Sequence, residues 1–255
     1  MNRAAVLARW DAEMRRDPPA LPGETVERDG QGTVLVRDAG GTCVLAPPRT
    51  ERAAAHAIAR ELARARRGRT RFEWKRCGHD PAPDPRPLLA AAGLSAEPVE
   101  TLMVRDGAGP LPIPSLPPGW EIVPVTTEAE LAEAARASEE AFGRGSGWTL
   151  GPLRGRLGGA TLVLLRILSP SGETAAVGRL DLPPARAFAG LWGGATVPAH
   201  RGRGLYRVLV GARAGLARGR GYRYLTVDAR PSSEPILSRL GFEALTTLEA
   251  WSWSP

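Results

Sequence analysis

Lysine is almost absent from this sequence. Lys75 is the only one, so the formal net charge of +7 is carried by arginine in a chain crowded with alanine, glycine and proline. That is the pattern a GC-rich genome imposes, and it accounts for the basic balance without nucleic acid, which is not expected as a partner. A basic face would still attract an acidic ligand. Cysteine is scarce too: Cys43 and Cys77, with only three histidines, make neither a disulfide framework nor a metal site. Both fall in predicted strands, where a small buried thiol is the ordinary role. Long apolar runs are missing as well. The longest, Ala160–Leu168, carries Arg166 and is too short to span a bilayer, and Arg9, Asp11 and Glu13 interrupt any apolar leader core. The expectation is a cytoplasmic protein with no membrane segment and no metal. Its 255 residues allow one large domain or two modest ones.

The pattern of the chain is mixed α/β. Helical stretches are predicted over 2–16, about 50–67, 87–92, 127–142 and from Gly204 onward; strands are predicted at 25–28, 32–36, 42–46, 71–76, 99–104, 120–125, 161–168, 174–182, 188–197, 222–227 and 246–253. Between them, Gly107–Gly119 is rich in proline and reads as an extended, stiff linker. Residues 1–106 and 120–255 are therefore expected as separate domains. Gly193-Gly194, in the middle of one strand, marks a bulge or a close backbone approach. Gly143–Gly147 reads as a loop leading to a short helix.

One stretch carries chemistry in outline. In Thr196-Val-Pro-Ala-His-Arg-Gly-Arg-Gly-Leu-Tyr206 a strand ends, a glycine-rich turn follows, and an amphipathic helix begins. Gly202 and Gly204 free the backbone to approach a ligand. The amides of Gly202–Tyr206 then lie at a helix N-terminus, where free N–H groups and the dipole favour phosphate, with Arg201 and Arg203 adding charge. In the following helix Leu205, Val208, Leu209, Ala212 and Leu216 form the expected core face, with Arg207, Arg213 and Arg218 expected away from it.

The two halves share a layout. Val44-Leu-Ala-Pro47, a helix, Gly68, a strand and Pro87-Leu-Leu-Ala-Ala-Ala-Gly-Leu94 are echoed by Ala195-Thr-Val-Pro198, a helix, Gly221, a strand and Pro235-Ile-Leu-Ser-Arg-Leu-Gly-Phe242. Where the second copy has Gly202 and Gly204, the first has Glu51 and Ala53. An acidic residue there would repel phosphate.

Thr196-Val-Pro198, Arg201-Gly-Arg-Gly-Leu-Tyr206 and the closing Gly241-Phe242 resemble the signature of the GCN5-related N-acetyltransferases (GNAT family), from about Trp120 to the last residue, with the N-terminal half resembling a truncated, degenerate copy. The resemblance implies the mixed α/β sheet of the GNAT acyl-CoA N-acyltransferase fold, in tandem with a cofactor-free GNAT-like domain. It implies acetyl-CoA as co-substrate. Ala195, Thr196 and Val197 would pair with the pantetheine arm, while Arg201, Gly202, Arg203, Gly204, Leu205 and Tyr206 would hold the pyrophosphate. It further implies direct attack of an amine on the thioester. The chain departs from the family at four places. Tyr206 stands where Gly or Ala is usual, Leu237 where a thiolate-protonating Tyr is common, and Arg230 where Asn is common. The strand before the cradle lacks the carboxylate that some members use as a base.

Within that reading Asp228, at the end of a strand flanking the cofactor gap, is either the catalytic base or a loop-capping residue. Ser233 either donates to the thiolate or substrate, or caps a short helix that has Pro235 in its first turn and stops at Gly241-Phe242. Glu139 and Glu140 either read a substrate amine or face solvent, and Trp148 and Trp192 either line the acceptor pocket or belong to the core. His200 is expected to face solvent. The expected partner is a small-molecule amine, with a homodimer left open. The rival readings are a CoA-binding sensor or partner subunit without turnover and a basic nucleic-acid module.

Overall fold

The computed structural model describes residues 1–81, 83–143 and 153–255. It divides into two compact units: Met1–Leu102 with Asp228–Ser232 and Ala244–Pro255, and Met103–Val227 with Ser233–Glu243. The segment expected to lead from Gly143 into a short helix, and Trp148 within it, lie outside the described residues.

In the first unit, the helix α1 (Arg3–Trp10) is capped by Asn2, whose side-chain oxygen accepts from the Ala5 amide at 3.1 Å. The helical stretch expected as far as residue 16 changes character after Trp10. Asp11–Arg16 is a π-helical turn, and it buries Arg15. Arg15 donates to Asp11 at 2.6 Å and to Asp80 at 2.7 Å. Asp11, His79 and Asp80 bring metal-ligand atoms within 4.8 Å of one another, and the guanidinium already supplies that cluster with a cation. The strands β1 (Thr25–Arg28), β2 (Val34–Asp38), β3 (Gly41–Ala46) and β4 (Arg71–Cys77) follow. The helix α2 (Glu51–Gly68) crosses from β3 to β4, which makes that pair parallel. Beyond α3 (Arg86–Ala91) come a two-residue strand that the pattern did not predict, β5 (Ser95–Ala96), and β6 (Glu100–Asp106). Within this unit the strand order is β1-β2-β3-β4-β12, where β12 is Glu243–Trp253, with β5 beside β12. The alternation of Phe72 and Trp74 on β4 puts both in a core with Val44, Ile58 and Leu62.

The second unit orders its strands β11-β10-β9-β8-β7: β7 (Glu121–Pro124), β8 (Leu162–Leu168), β9 (Thr174–Asp181), β10 (Phe188–Thr196) and β11 (Tyr224–Ala229). The helix α4 (Glu128–Phe142) covers one face of this sheet. A full capping box fixes its start, with Thr127 accepting from the Glu130 amide and Glu130 accepting from Thr127. Hydrogen bonds from Thr126 and Thr127 hold the Glu130 carboxyl down at about 2. Arg166, the charge that broke the longest apolar run, is 7% exposed and paired with Glu130 at 2.9 Å and with Glu133.

The opposite face carries α5 (Leu205–Gly219), packed through Leu205, Val208 and Leu209 onto Leu165, Ile167 and Ala176. The chain before β7 has no helix or strand from residue 107 to 119, yet it is packed. Ile113 lies against Gly211 and Pro114 against Gly204, and Leu116 joins the α5 core. A short helix, α6 (Glu234–Arg239), follows β11. Among the described residues no helix is long and apolar enough to cross a membrane.

Two expectations for α5 are corrected. Leu216 is 38% exposed, and Arg213 is only 1% exposed. Position 213 is four residues beyond Leu209 and eight beyond Leu205, so helical period puts it on the buried stripe whatever its charge.

Candidate functional site

The cofactor cradle expected from the sequence lies in the second unit. β10 and β11 are parallel, but they pair only through Phe188↔Tyr224, Ala189↔Leu225 and Gly190↔Thr226. Beyond Gly190 the strands part. On its other edge β10 stays joined to β9 through Ala195↔Val177 and Thr196↔Ala176, and the Val197 amide donates to Ala175. The stretch Ala195–Val197 therefore holds its place in the sheet while the edge toward β11 is unpaired. The Thr196 hydroxyl is buried with no hydrogen-bond partner.

After a turn of 3-10 helix at Pro198–His200, Gly202 and Gly204 adopt left-handed backbone angles, with φ of +79° and +78°. A side chain at either would be strained, and a Cβ on Gly204 would also lie 3.0 Å from Pro114. Gly204 is the N-cap of α5, and no side chain caps this fifteen-residue helix. Its first-turn amides at Leu205, Tyr206 and Arg207 thus have no intrahelical acceptor and present the positive end of the dipole.

The cations are arranged differently from the sequence expectation. Arg201 donates to the main-chain oxygens of Thr196 at 3.2 Å and Ala141 at 3.0 Å, which ties the end of β10 to the end of α4. Arg203 stacks over Trp120, 6.0 Å from the ring centroid, and His200 meets the same ring edge-on. Arg207, expected only to face away from the core, puts a terminal nitrogen 3.4 Å from where a Gly204 Cβ would be. It was the residue over the cradle that the motif did not single out. A phosphate-bearing ligand fits this set of uncapped amides, glycines and arginines.

Tyr206, on the second residue of α5, points back at the sheet. A Cβ on Gly194 would come within 2.8 Å of its ring. Burial raises its pKa, with Arg213 and the neighbouring Ser233 opposing the rise. Ser233 stands at the N-cap of α6, but its side chain makes no cap bond there. Tyr206 and Ser233 are thus brought together, which their separation in sequence did not suggest.

Trp192 lies with its indole over Gly190, where β10 and β11 part. Glu139 and Glu140 are both exposed at the last turn of α4. Asp228 is the fifth residue of β11, two beyond Thr226. Its groups of influence are Lys75, Glu100 and Glu73, all in the first unit with it. Burial pushes its pKa up to about 7, with Glu100 and Glu73 adding to the rise and Lys75 opposing it, and one carboxylate oxygen has no hydrogen-bond partner. Nothing in the spacing of the sequence pointed to that surrounding set.

Compared by sequence, the chain matches no protein-family model and no curated protein. Compared as a structure, it is similar to a GCN5-related N-acetyltransferase from Kribbella flavida, with a TM-score of 0.68 at 15% identity over 99% of this chain and 94% of that one. It is similar also to a tandem GNAT protein from the clavulanic acid biosynthesis pathway (TM-score 0.62, 16% identity, 99% and 94% covered). A third, a GCN5-related N-acetyltransferase from Sphaerobacter thermophilus, gives 0.60 at 15% identity, over 98% and 85%. The fold is the mixed α/β fold of GCN5-related N-acetyltransferases.

Proposed function

We propose that the chain is an acetyl-CoA-dependent N-acetyltransferase acting on a primary amine of a small molecule. The observation that carries this reading is the parting of β10 from β11 after Gly190, directly upstream of an uncapped helix N-terminus with two left-handed glycines. A ligand with a pyrophosphate at the cradle and an extended arm along Ala195–Val197 would reach the Gly193-Gly194 bulge with its far end. In the reaction the amine nitrogen attacks the thioester carbonyl carbon. The C–N bond forms, and the C–S bond breaks with its electron pair going to sulfur. One proton leaves the amine for a base, and the sulfur takes a proton in turn. Asp228 has a pKa near neutrality and is our candidate base. Tyr206, whose hydroxyl feels the neighbouring Ser233, is our candidate donor to sulfur in place of the side chain missing at Leu237. Glu139, Glu140 and Trp192 are retained as candidate acceptor contacts. Residues 1–106 are proposed as a degenerate GNAT-like copy without a cofactor, joined through 107–119 to the catalytic residues 120–255.

Titration calorimetry and thermal shift with acetyl-CoA, followed by CoA-thiol release over classes of amine, test the reading. Saturable heat, a raised melting temperature and amine-dependent thiol release are expected. No heat and no shift at saturating acetyl-CoA would overturn it. A second reading, a CoA-binding sensor without turnover, is favoured by Leu237 at the usual donor position; binding with no thiol release against any amine class selects it.

A further inference from the structure

Arg213 is a cation in the core of the second unit. It is 1% exposed, and among the described residues no carboxylate is paired with it. Burial pulls its pKa down to about 10. A desolvated guanidinium without a counter-ion is costly, so its hydrogen bonds identify what holds it. Nε donates to the Leu209 carbonyl one turn back at 3.1 Å. One terminal nitrogen donates to two strands at once, to Arg179 on β9 at 3.0 Å and to Trp192 on β10 at 3.2 Å.

Those two carbonyls flank the irregularity in the sheet. The β9–β10 register runs Trp192↔Arg179 and then Ala195↔Val177, so Gly193 and Gly194 together face Gly178. A bulge of this kind breaks the ladder and strands backbone groups. Arg213 takes them up. The surrounding glycines are shaped to admit it: a Cβ on Gly178 would lie 2.8 Å from the guanidinium carbon, and one on Gly194 would lie 3.1 Å from the second terminal nitrogen. Gly193 itself has a φ of +54°. Two strands have thus given up side chains at facing positions to seat one arginine from the helix.

We propose that Arg213 is a positioning residue of the acyl transfer: it pins the Gly193-Gly194 bulge of β10, the stretch where the thioester end of the bound donor arrives, and Gly178 is the seat that orients it. The proposal rests on the acyltransferase reading. The pin holds the backbone at the bulge in one arrangement before the donor binds, so that charge developing on the thioester oxygen meets fixed dipoles and a nearby cation rather than groups that must first reorganise. Its effect falls on turnover and leaves the affinity of the cradle for the donor untouched.

The test uses Arg213→Met, Arg213→Lys and Gly178→Ala in the full chain. The last keeps the charge and displaces the guanidinium. Backbone hydrogen exchange is read first, in the absence of donor. Arg213→Met and Gly178→Ala are expected to raise exchange in peptides covering 176–181 and 190–197 while α4 and the first unit keep wild-type protection. With acetyl-CoA and an amine that the wild type uses, kcat is expected to fall on the order of 100-fold. KM and Kd for acetyl-CoA should stay within about threefold, and Arg213→Lys should recover part of the loss. The double variant Arg213→Met with Gly178→Ala should be no worse than Arg213→Met alone, because both remove the same pin.

Unchanged exchange at the bulge overturns the proposal. So does raised exchange with an unchanged kcat, or a loss of donor affinity and turnover in parallel. If Arg213→Met fails to fold, Gly178→Ala decides by the same outcomes. If the wild type neither binds acetyl-CoA nor releases thiol, the acyltransferase reading fails, and the exchange arm alone still says whether Arg213 holds the bulge.

Discussion

Each unit contains a parallel strand–helix–strand segment, β3–α2–β4 in the first and β10–α5–β11 in the second, and the two finish the strand-to-helix junction in opposite ways. β3 and β4 pair from Gly41↔Arg71 to Val44↔Trp74, nearly to the end of β3 at Ala46. β10 runs on to Thr196 but pairs with β11 only as far as Gly190. At the start of α2, Thr50 accepts from the Ala53 amide at 3.3 Å and Glu51 opens the first turn. At the start of α5 there is no cap and no acid, and two glycines hold left-handed turns. The same supersecondary unit therefore makes either a closed structural joint or a receptive one. The difference lies in who satisfies the first-turn amides: the chain's own hydroxyl, or a ligand.

The most damaging way to break that difference is to give α5 what α2 has. Gly204→Glu adds a Cβ at a φ of +78° against Pro114 and a carboxylate beside the free amides. The left-handed strain alone costs about 1–2 kcal/mol, and charge repulsion adds to it. Calorimetry should show acetyl-CoA affinity reduced on the order of 100-fold, with the first unit's melting unaffected. The next largest effect is expected at Tyr206, whose counterpart by spacing in α2 is the exposed Ala55. Tyr206→Phe keeps the ring over Gly194 and removes the hydroxyl beside Ser233. Steady-state kinetics should show kcat lower by roughly 10–100-fold with KM for acetyl-CoA little changed. An unchanged kcat would return Tyr206 to a packing role like that of its neighbours.

How much of this was legible in the sequence depends on whether a feature is local. The glycine pairs at 193–194 and 202–204 forecast the bulge and the cradle, because left-handed and bulged backbone needs those residues where they occur. The start of α4 is local in the same sense, since its cap and the carboxylate that answers it lie within one turn. At Arg213 charge and spacing disagree, and the four-residue spacing from Leu209 prevails over the charge. The clue to it was non-local, two strand glycines at 178 and 194 facing one helix position. The approach of Tyr206 and Ser233, and the grouping of Lys75, Glu73 and Glu100 around Asp228, join residues far apart in the chain. No spacing rule reaches them.

The strands that follow the two helices extend the comparison to pH. β4 ends at Cys77, whose thiol burial pushes up to about 12, and Asp228 near the end of β11 is pushed up to about 7 from 3.8. Only the second titrates near neutrality. Because the folded-state pKa of Asp228 lies above its unfolded value, its contribution to stability is complete below about 4 and is lost as pH rises through 7. The loss accumulates between about pH 4 and 7 and levels off above that. Thermal melts from pH 4 to 8 should show Asp228→Asn equal to wild type at the acid end and more stable at the alkaline end. If Asp228 is also the base, wild-type kcat/KM should fall below pH 7, and the Asn variant should lose that limb together with most of its activity.

The smallest expected effect sharpens the contrast most. Thr50→Ala removes the cap of α2 and should cost about 1 kcal/mol of stability in a denaturant titration, with acetyl-CoA affinity unchanged. Adding Glu51→Gly and Ala53→Gly then gives α2 an uncapped, acid-free and glycine-bearing start like that of α5. A second equivalent of acetyl-CoA is not expected to bind, because β3 and β4 remain paired to Val44↔Trp74 and leave no unpaired strand edge for an extended arm. Calorimetric stoichiometry reads this directly. Two equivalents bound would mean that a free helix N-terminus suffices, and that the parting of β10 from β11 is incidental to donor binding. One equivalent would mean that cradle and strand separation are both required, and that the first unit lacks the second of these however its helix is begun.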